Sequence, residues 1–406
     1  MAESKEKKTW IKKRHQINCT LFYPPLLLYL KLKYHIRIDR FKEEGKRPYL
    51  VLYNHQTPMD QFFVGGAFRQ PLYFVSTEDL HSNGWISRLI QFMAAPIPIA
   101  KDSLDIQAIK DCLQVAREGG SIAVAPEGNR TYSGKTGFIK PGIANLAKKL
   151  KLPIVLFRIE GGYGAQPRWS DVVRKGPMHA YVSEVIEPEE IAALSKDDLY
   201  ERIKQGLEVN EACVDYDYTH PKTAEYLERL IYICPHCGLS EFHSHRDLME
   251  CTKCGLQVRY LPSKELKAVR GELPFRFVND WYVYQEAYVN RLVPEEHPEQ
   301  PMYKDHAEVK KVLLRQKKIP FRKDALLRLY GDRITMDEDG AEPVILPFES
   351  ITGMPVLGRN KLNIYIDKQV FQIKGGKPFN AVKYIHMYHR YLNIRKDYQN
   401  GEFLGL

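Results

Sequence analysis

The chain has 406 residues, 44% of them hydrophobic and 27% charged, with a formal net charge of +10 and seven cysteines. That length predicts two or three domains, and that apolar fraction supports well-formed cores and excludes a disordered chain. The positive charge is local: residues 1–47 carry 13 Lys/Arg against 5 Asp/Glu, a net of +8.

The N-terminal stretch, residues 1–39, interleaves this charge with Leu21-Phe22-Tyr23-Pro24-Pro25-Leu26-Leu27-Leu28-Tyr29-Leu30, which ends in Lys31-Leu32-Lys33. A bilayer needs about 20 apolar residues to span it, so this run is too short, and Pro24-Pro25 is expected to interrupt it. It has no small-residue cleavage site, so a secretory signal is not expected. Such a segment suits the interface of an anionic membrane. The alternative is a helix packed on the following domain, with a solvated lysine tail.

From there to about residue 160, apolar runs alternate with helical patterns. Strands are expected at 49–54, 72–76, 96–100, 121–125 and 153–159, a further strand at 179–187, and a charged closing helix over 188–214. This alternation predicts an α/β domain over residues 40–215 with a mainly parallel, covered sheet.

The first strand runs directly into Asn54-His55-Gln56-Thr57-Pro58-Met59-Asp60. Residues five apart on a helix point about 140° away from each other, so His55 and Asp60 meet only if His55 lies outside the helix. Thr57 as N-cap and Pro58 at the first helical position put Asp60 in the first turn and His55 on the loop before it. A carboxylate that accepts the Nδ1 proton leaves Nε2 as a base and stabilises the imidazolium. The simpler reading makes Asp60 only a helix cap. A second polar cluster, Glu127-Gly128-Asn129-Arg130-Thr131, follows the strand at 121–125. Open α/β sheets bind ligands beyond such strand ends. Gly128 lets the backbone approach a ligand, and Arg130 offers a planar fork for phosphate oxygens. Its bland alternative is a Glu–Arg surface pair in a polar turn.

Together these blocks resemble the motifs of the glycerophospholipid acyltransferase family, N-H-x-x-x-x-D and E-G-T-R-S, with Asn129 for the family's Thr and Thr131 for its Ser. Pro96-Ile97-Pro98-Ile99-Ala100-Lys101-Asp102 is similar to a second family block, with Lys101 where arginine is usual. Leu152-Pro153-Ile154-Val155-Leu156 is similar to a fourth, with Leu156 in place of a proline. The resemblance covers about residues 40–210. It implies acyl transfer from acyl-coenzyme A or acyl carrier protein to a lysophospholipid hydroxyl, with 1-acylglycerol-3-phosphate giving phosphatidic acid as the leading case. It implies that His55 is the base, that Asp60 orients it, and that Arg130 and Lys101 hold the acceptor phosphate. Glu127 would order the loop or bind acceptor hydroxyls, and Asn54, Gly128, Thr131 and Pro153 complete the substrate-binding set. Direct attack on the thioester needs no redox cofactor and no covalent enzyme intermediate, which agrees with the lack of a G-x-S-x-G elbow. Cys112 sits in a helical pattern and is read as core. Because acceptor and product are lipids, the resemblance favours a peripheral protein on the cytoplasmic face of a membrane.

Further along, Cys234-Pro235-His236-Cys237 and Cys251-Thr252-Lys253-Cys254 form two C-x-x-C knuckles, each followed by glycine. Four thiolates at this spacing predict a zinc ribbon over residues 228–262 with a structural zinc ion. A redox C-x-x-C pair is the alternative, and disulfides fit poorly with the expected cytosolic setting. His236, His243 and His245 are read as surface residues. The ribbon has no dense basic-aromatic stripe, so nucleic acid is not an expected partner. Residues 263–300 read as a helical and linker segment, helical around Trp281-Tyr282-Val283-Tyr284, with a linker at 294–301. Within residues 301–396, short alternating runs over 325–375 are separated by turn signals and closed by a helical pattern at 380–392. In pattern this resembles a pleckstrin-homology-like barrel, which would bind a lipid headgroup or a protein. A competing reading of the whole chain is a non-catalytic scaffold, with the ribbon and this domain recruiting partners to a membrane or nucleic acid.

Overall fold

The computed structural model describes residues 9–81, 84–99, 106–293, 299–313, 317–367, 369–397 and 403. It divides into two compact units, described separately. The first comprises Met1–Gly128, Ile139–Glu160 and Met178–Val209; the second comprises Asn129–Phe138, Gly161–Pro177 and Asn210–Leu406.

The first unit is an α/β layer structure. Its elements in order are α1 (Lys13–Tyr34), β1 (Ile36–Ile38), β2 (Leu50–Tyr53), α2 (Asp60–Ala67), β3 (Leu72–Thr77), α3 (Trp85–Ala94), β4 (Ile97–Ile99), α4 (Ile106–Arg117), β5 (Ser121–Val124), α5 (Gly142–Leu150) and β6 (Ile154–Glu160). After a short helix in the second unit, α6 (Gly162–Ala165), come β7 (Met178–Ile186), α7 (Pro188–Ala193) and α8 (Lys196–Leu207). The seven strands lie in the order β1-β7-β6-β2-β5-β3-β4. Every neighbouring pair is parallel except β6–β7. All six expected strands are present, each within one residue of its expected bounds. All four β2 residues are buried, as an uninterrupted apolar run in a sheet covered on both faces requires. Cys112 is buried in the same core, as expected.

Three local readings are corrected. The single helix expected over 188–214 is two helices, because Ser195 breaks the run and caps α8 by accepting the Asp198 N–H; the chain leaves helix after Leu207. The three-residue β1 carries too short a pattern to be seen in the sequence. Pro24-Pro25 does not interrupt the N-terminal segment: α1 runs through both prolines. Both are exposed, so solvent reaches the carbonyls whose helical donors they remove. Contacts on either side hold the helix in place. His15 Nδ1 shares a 3.0 Å hydrogen bond with Tyr73 Oη, and Tyr34 packs edge-on to Phe63 at 5.4 Å. No helix among the described residues is long and apolar enough to cross a membrane.

The second unit begins its C-terminal run with a two-stranded hairpin, β8 (Ile233–Cys234) and β9 (Gly238–Leu239). A four-stranded antiparallel sheet follows: β10 (Phe242–His245), β11 (Leu248–Cys251), β12 (Gln257–Tyr260) and β13 (Leu266–Arg270). Part of the segment expected to be helix and linker is thus strand β13, an edge whose only buried residue is Leu266. The expected helix around Trp281 is α9 (Val278–Arg291); residues 294–298 of the expected linker lie outside the described residues. The remaining strands are β14 (Tyr303–Lys311), β15 (Ile319–Leu329), β16 (Arg333–Asp337), β17 (Val344–Pro347), β18 (Ile351–Gly353), β19 (Val356–Leu357), β20 (Lys361–Ile366) and β21 (Gln369–Gly375). They form an antiparallel near-barrel in the order β17-β16-β15-β14-β21-β20-β18, with β19 on β20, and α10 (Val382–Arg395) follows.

Residues 129–138 and 161–177 interrupt the first unit in sequence but pack into the second. Buried arginines hold them there. Arg174 donates to the Thr223 carbonyl at 2.5 Å and stacks 4.6 Å from the Tyr260 ring. Arg229 forks onto Asp171 at 2.7 and 3.1 Å and donates to the Trp169 and Lys377 carbonyls. The buried Glu211 accepts the Tyr163 and Gly164 N–H groups. Burial pushes its carboxyl up to about 7, although these N–H groups and Lys264 pull the other way.

Candidate active site

The parallel register places the site. Leu52 of β2 lies opposite Val124 of β5, so His55 and Glu127, each three residues further on, leave the sheet at the same edge. Glu127 reaches across and accepts the His55 N–H at 2.7 Å. On the other side, Asn54 pairs with the Ile159 main chain of β6. Its Nδ2 donates to the carbonyl at 2.8 Å, and its Oδ1 accepts the N–H at 2.7 Å. Three adjacent strands therefore hold the His55 backbone.

Asp60 holds the side chain. Its carboxylate accepts His55 Nδ1 at 2.8 Å, the Gln56 N–H at 2.6 Å, the Thr57 N–H at 2.9 Å and the Thr57 hydroxyl at 2.6 Å. The Asp60 side chain is fully buried, and that of His55 is 24% exposed. Since an ionised carboxylate only accepts, Nδ1 carries the proton and Nε2 has the lone pair. No described residue partners Nε2. The imidazole thus meets the geometric needs of a general base: oriented, of defined tautomer and accessible.

The local route to this geometry differs from the expected one. Helix α2 starts at Asp60, with Met59 as its cap, and Thr57 does not cap it. The Thr57 hydroxyl accepts the Met59 N–H at 3.1 Å while donating to Asp60, which closes a turn over 57–59. Asp60 still lies in the first turn of α2, where the helix dipole favours a negative charge.

The remaining expected residues separate. Gly128 is exposed, with φ of +69°, in a turn closed by its N–H on the Ala125 carbonyl. Asn54 is wholly buried and its amide serves the backbone, so it positions the loop and does not face a substrate. Thr131 is buried, and its hydroxyl accepts the Gly134 N–H at 3.0 Å. It therefore shapes its own loop. Arg130 is half-buried within the second unit, and its carbonyl accepts a bond from Arg168. Pro153 is not brought to the site. It precedes β6 at the N-terminal ends of the strands, the end away from His55, where its carbonyl accepts the Leu50 N–H and starts the β2–β6 ladder. Lys101 lies outside the described residues. Sequence reasoning missed Arg168 and the Asn54 clamp, because bonds to backbone carbonyls and amides leave no residue-type pattern.

The four cysteines of the second unit, Cys234, Cys237, Cys251 and Cys254, place their sulfurs within 4.8 Å of one another. The Cys234–Cys254 and Cys237–Cys251 pairs are 3.5 and 3.6 Å apart. Four thiolates at about 2.3 Å around a tetrahedral zinc ion would be about 3.8 Å apart, so the donor set fits that ion. Gly238 and Gly255, with φ of +70° and +69°, make the knuckle turns. His236, His243 and His245 are exposed, in keeping with their reading as surface residues.

Removing Asp60 leaves three backbone and hydroxyl donors and an imidazole without an acceptor, whereas removing His55 leaves Asp60 well bonded. Asp60→Ala should therefore cost about 3 kcal/mol of stability and His55→Ala about 1 kcal/mol. Urea denaturation of both variants measures this, and equal losses would remove Asp60 as the organising group.

Residues 33–160 match the family model described as Acyltransferase. The chain is 31% identical over 128 residues to a Mycoplasma genitalium protein named "Probable 1-acyl-sn-glycerol-3-phosphate acyltransferase", covering 29% of this chain and 46% of that protein. It is 28% identical over 157 residues to the 1-acyl-sn-glycerol-3-phosphate acyltransferase of Saccharomyces cerevisiae, covering 36% and 50%. Among solved structures, the 1-acyl-sn-glycerophosphate acyltransferase of Thermotoga maritima aligns with a TM-score of 0.39 and 18% identity, over 47% of this chain and 75% of that one. The chain spans about half the length of the two curated relatives, and the stretch matched by the family model carries His55, Asp60, Glu127 and Arg130.

Proposed function

We propose that the protein transfers an acyl group from an acyl-thioester, of coenzyme A or acyl carrier protein, to a lysophospholipid hydroxyl, with 1-acylglycerol-3-phosphate giving phosphatidic acid. The observation that carries this reading is the His55–Asp60 pair with its accessible Nε2. The named relatives add the acceptor class.

In the proposed reaction, Nε2 takes the acceptor hydroxyl proton as the oxygen attacks the thioester carbonyl. The tetrahedral adduct collapses with loss of thiolate, which recovers the proton from the His55 imidazolium. Asp60 stabilises that imidazolium through Nδ1, and Glu127 keeps the His55 backbone in register. Arg130 is assigned the acceptor phosphate because a guanidinium fork matches its oxygens. His55→Ala should lower thiol release from the thioester by at least about 10²-fold. Arg130→Ala should chiefly raise the KM for lysophosphatidate. Steady-state assays with thiol detection decide both, and wild-type rates in His55→Ala would remove the base from the mechanism.

A membrane-docking site is proposed on one surface of the first unit. Helices α1 and α3 are tied together by Arg14 on the Phe92 carbonyl and Asn18 on the Met93 carbonyl, both at 3.1 Å. They expose Leu21, Phe22, Leu28 and Leu32 from α1 and Trp85, Leu89 and Phe92 from α3. With Lys31 and Lys33 at the end of α1, this surface suits peripheral docking on the anionic, cytoplasmic face of a membrane. The double variant Leu21→Glu/Leu28→Glu should weaken binding to phosphatidylglycerol vesicles at least about tenfold, because two leucines that docking would bury in the acyl region are lost. Unchanged co-sedimentation would move the docking face elsewhere.

For the second unit, the reading is a structural Zn2+ on Cys234, Cys237, Cys251 and Cys254, supported by the spacing of their sulfurs. Its strand order and closing helix support a pleckstrin-homology-like barrel. Zinc would contribute folding energy by cross-linking two turns. Metal analysis of the purified chain should find one zinc ion, and Cys251→Ser should lose it together with thermal stability. A metal-free, equally stable protein would rule the ion out.

A further inference from the structure

We infer that Arg168 is a positioning residue for the loop that carries Arg130, and that it makes the grip on the acceptor phosphate depend on the turn between β19 and β20. This rests on the role proposed for Arg130.

Arg168 as a whole is 2% exposed, and no described residue forms an ion pair with it. Its planar N–H donors are used in two directions. Toward the motif loop, Nη1 donates to the Arg130 carbonyl and Nη2 to Asn129 Oδ1, each at 3.1 Å. Toward the near-barrel, Nε donates to the Gly358 carbonyl at 3.1 Å and Nη2 to the Val356 carbonyl at 3.3 Å. The plane lies 4.2 Å from the ring centre of Tyr132, which is buried in the same loop. One side chain thus joins residues 129–132 to a turn that lies 188 and 190 positions beyond Arg168 itself in the chain.

Each anchor is itself fixed. The 129–138 loop is closed by Thr131 on the Gly134 N–H and by the Glu211 N–H on the Gly134 carbonyl at 2.8 Å. The other turn leaves β19, which pairs with β20 through Val356–Leu362 and Leu357–Lys361, and passes through Gly358 at φ of +60°. A buried cation is expensive unless its donors are satisfied. The four bonds and the aromatic face therefore make this arrangement much better than any with the loop displaced. Lysine cannot replace it, because an ammonium lacks a flat fork that reaches both anchors. Fixing the Arg130 carbonyl fixes the peptide from which the Arg130 side chain departs. Arg168 touches no reacting atom in this scheme; it acts through Arg130.

The test uses the full chain with Arg168→Gln, the milder Arg168→Lys, and the remote Gly358→Val, which strains the left-handed turn. Initial rates are measured against lysophosphatidate at saturating oleoyl-coenzyme A, and the reverse. Amide hydrogen exchange is followed in residues 129–138 and in β2 and β5, and melting temperatures identify unfolded variants. The expected result for every folded variant is a rise in the lysophosphatidate KM, about tenfold for Arg168→Gln, the size of one charge-assisted hydrogen bond. The oleoyl-coenzyme A KM should stay constant, and exchange should speed up in 129–138 but not in β2 or β5. An unchanged acceptor KM, an equal rise in both KM values, or unchanged exchange in 129–138 overturns the proposal. If the wild-type chain does not acylate lysophosphatidate, the acyl-transfer reading fails, and the exchange result alone decides whether Arg168 positions the loop.

Discussion

The buried carboxylate of Asp60 is the group on which the rest of the site depends. A bare charge at full burial costs several kcal/mol, and here the cost is offset by an imidazole, two main-chain N–H groups and a hydroxyl. These bonds also define the shape of residues 55–57. The ion that selects the His55 tautomer is thus the ion that folds the turn around it. Imidazole orientation and local folding cannot be separated, because the same carboxylate accepts the donors of both.

Strand register supplies the second constraint. With β2 flanked by β6 and β5, the chain leaving β2 passes between the Ile159 main chain, which clamps Asn54, and Glu127, which receives the His55 N–H. A shift of one residue would reverse which side chains face the core and break both contacts. The all-buried β2 makes that shift costly. The second motif behaves differently. Its first half, Glu127-Gly128, belongs to the first unit, and from Asn129 the chain belongs to the second. There its shape comes from Arg168, Thr131 and the Glu211 N–H. Five consecutive residues are therefore specified by two separate cores.

What the sequence could reveal follows from the range of each interaction. Strands covered on both faces write unbroken apolar runs, as β2 and the first half of β6 do, and all six expected strands were legible to within one residue. The His55–Asp60 contact was legible because both ends are reactive residue types only five positions apart. The four cysteines were legible for the same reason. Asn54 and Arg168 were not, since each spends its donors on carbonyls and any residue can own a carbonyl. Thr57 misled because a hydroxyl two residues before the cap closes a turn as readily as one at the cap itself. Pro153 was placed by resemblance alone, and resemblance carries no information about which end of the strands a residue occupies.

Helix α1 shows how a rule about proline can mislead and then inform. Without N–H groups, Pro24 and Pro25 leave the Thr20 and Leu21 carbonyls lacking their helical donors. Thr20 and Leu21 are themselves exposed, as is Leu28 two turns further on. In hydrocarbon such orphan carbonyls would cost several kcal/mol each, which argues against a buried transmembrane position for this stretch. In water alone, an apolar face of this extent has no stabilising partner. At a headgroup boundary both demands are met, because leucines reach the acyl region while water and polar headgroups serve the carbonyls. The prolines that seemed to forbid a helix thus narrow its proposed environment to the interface.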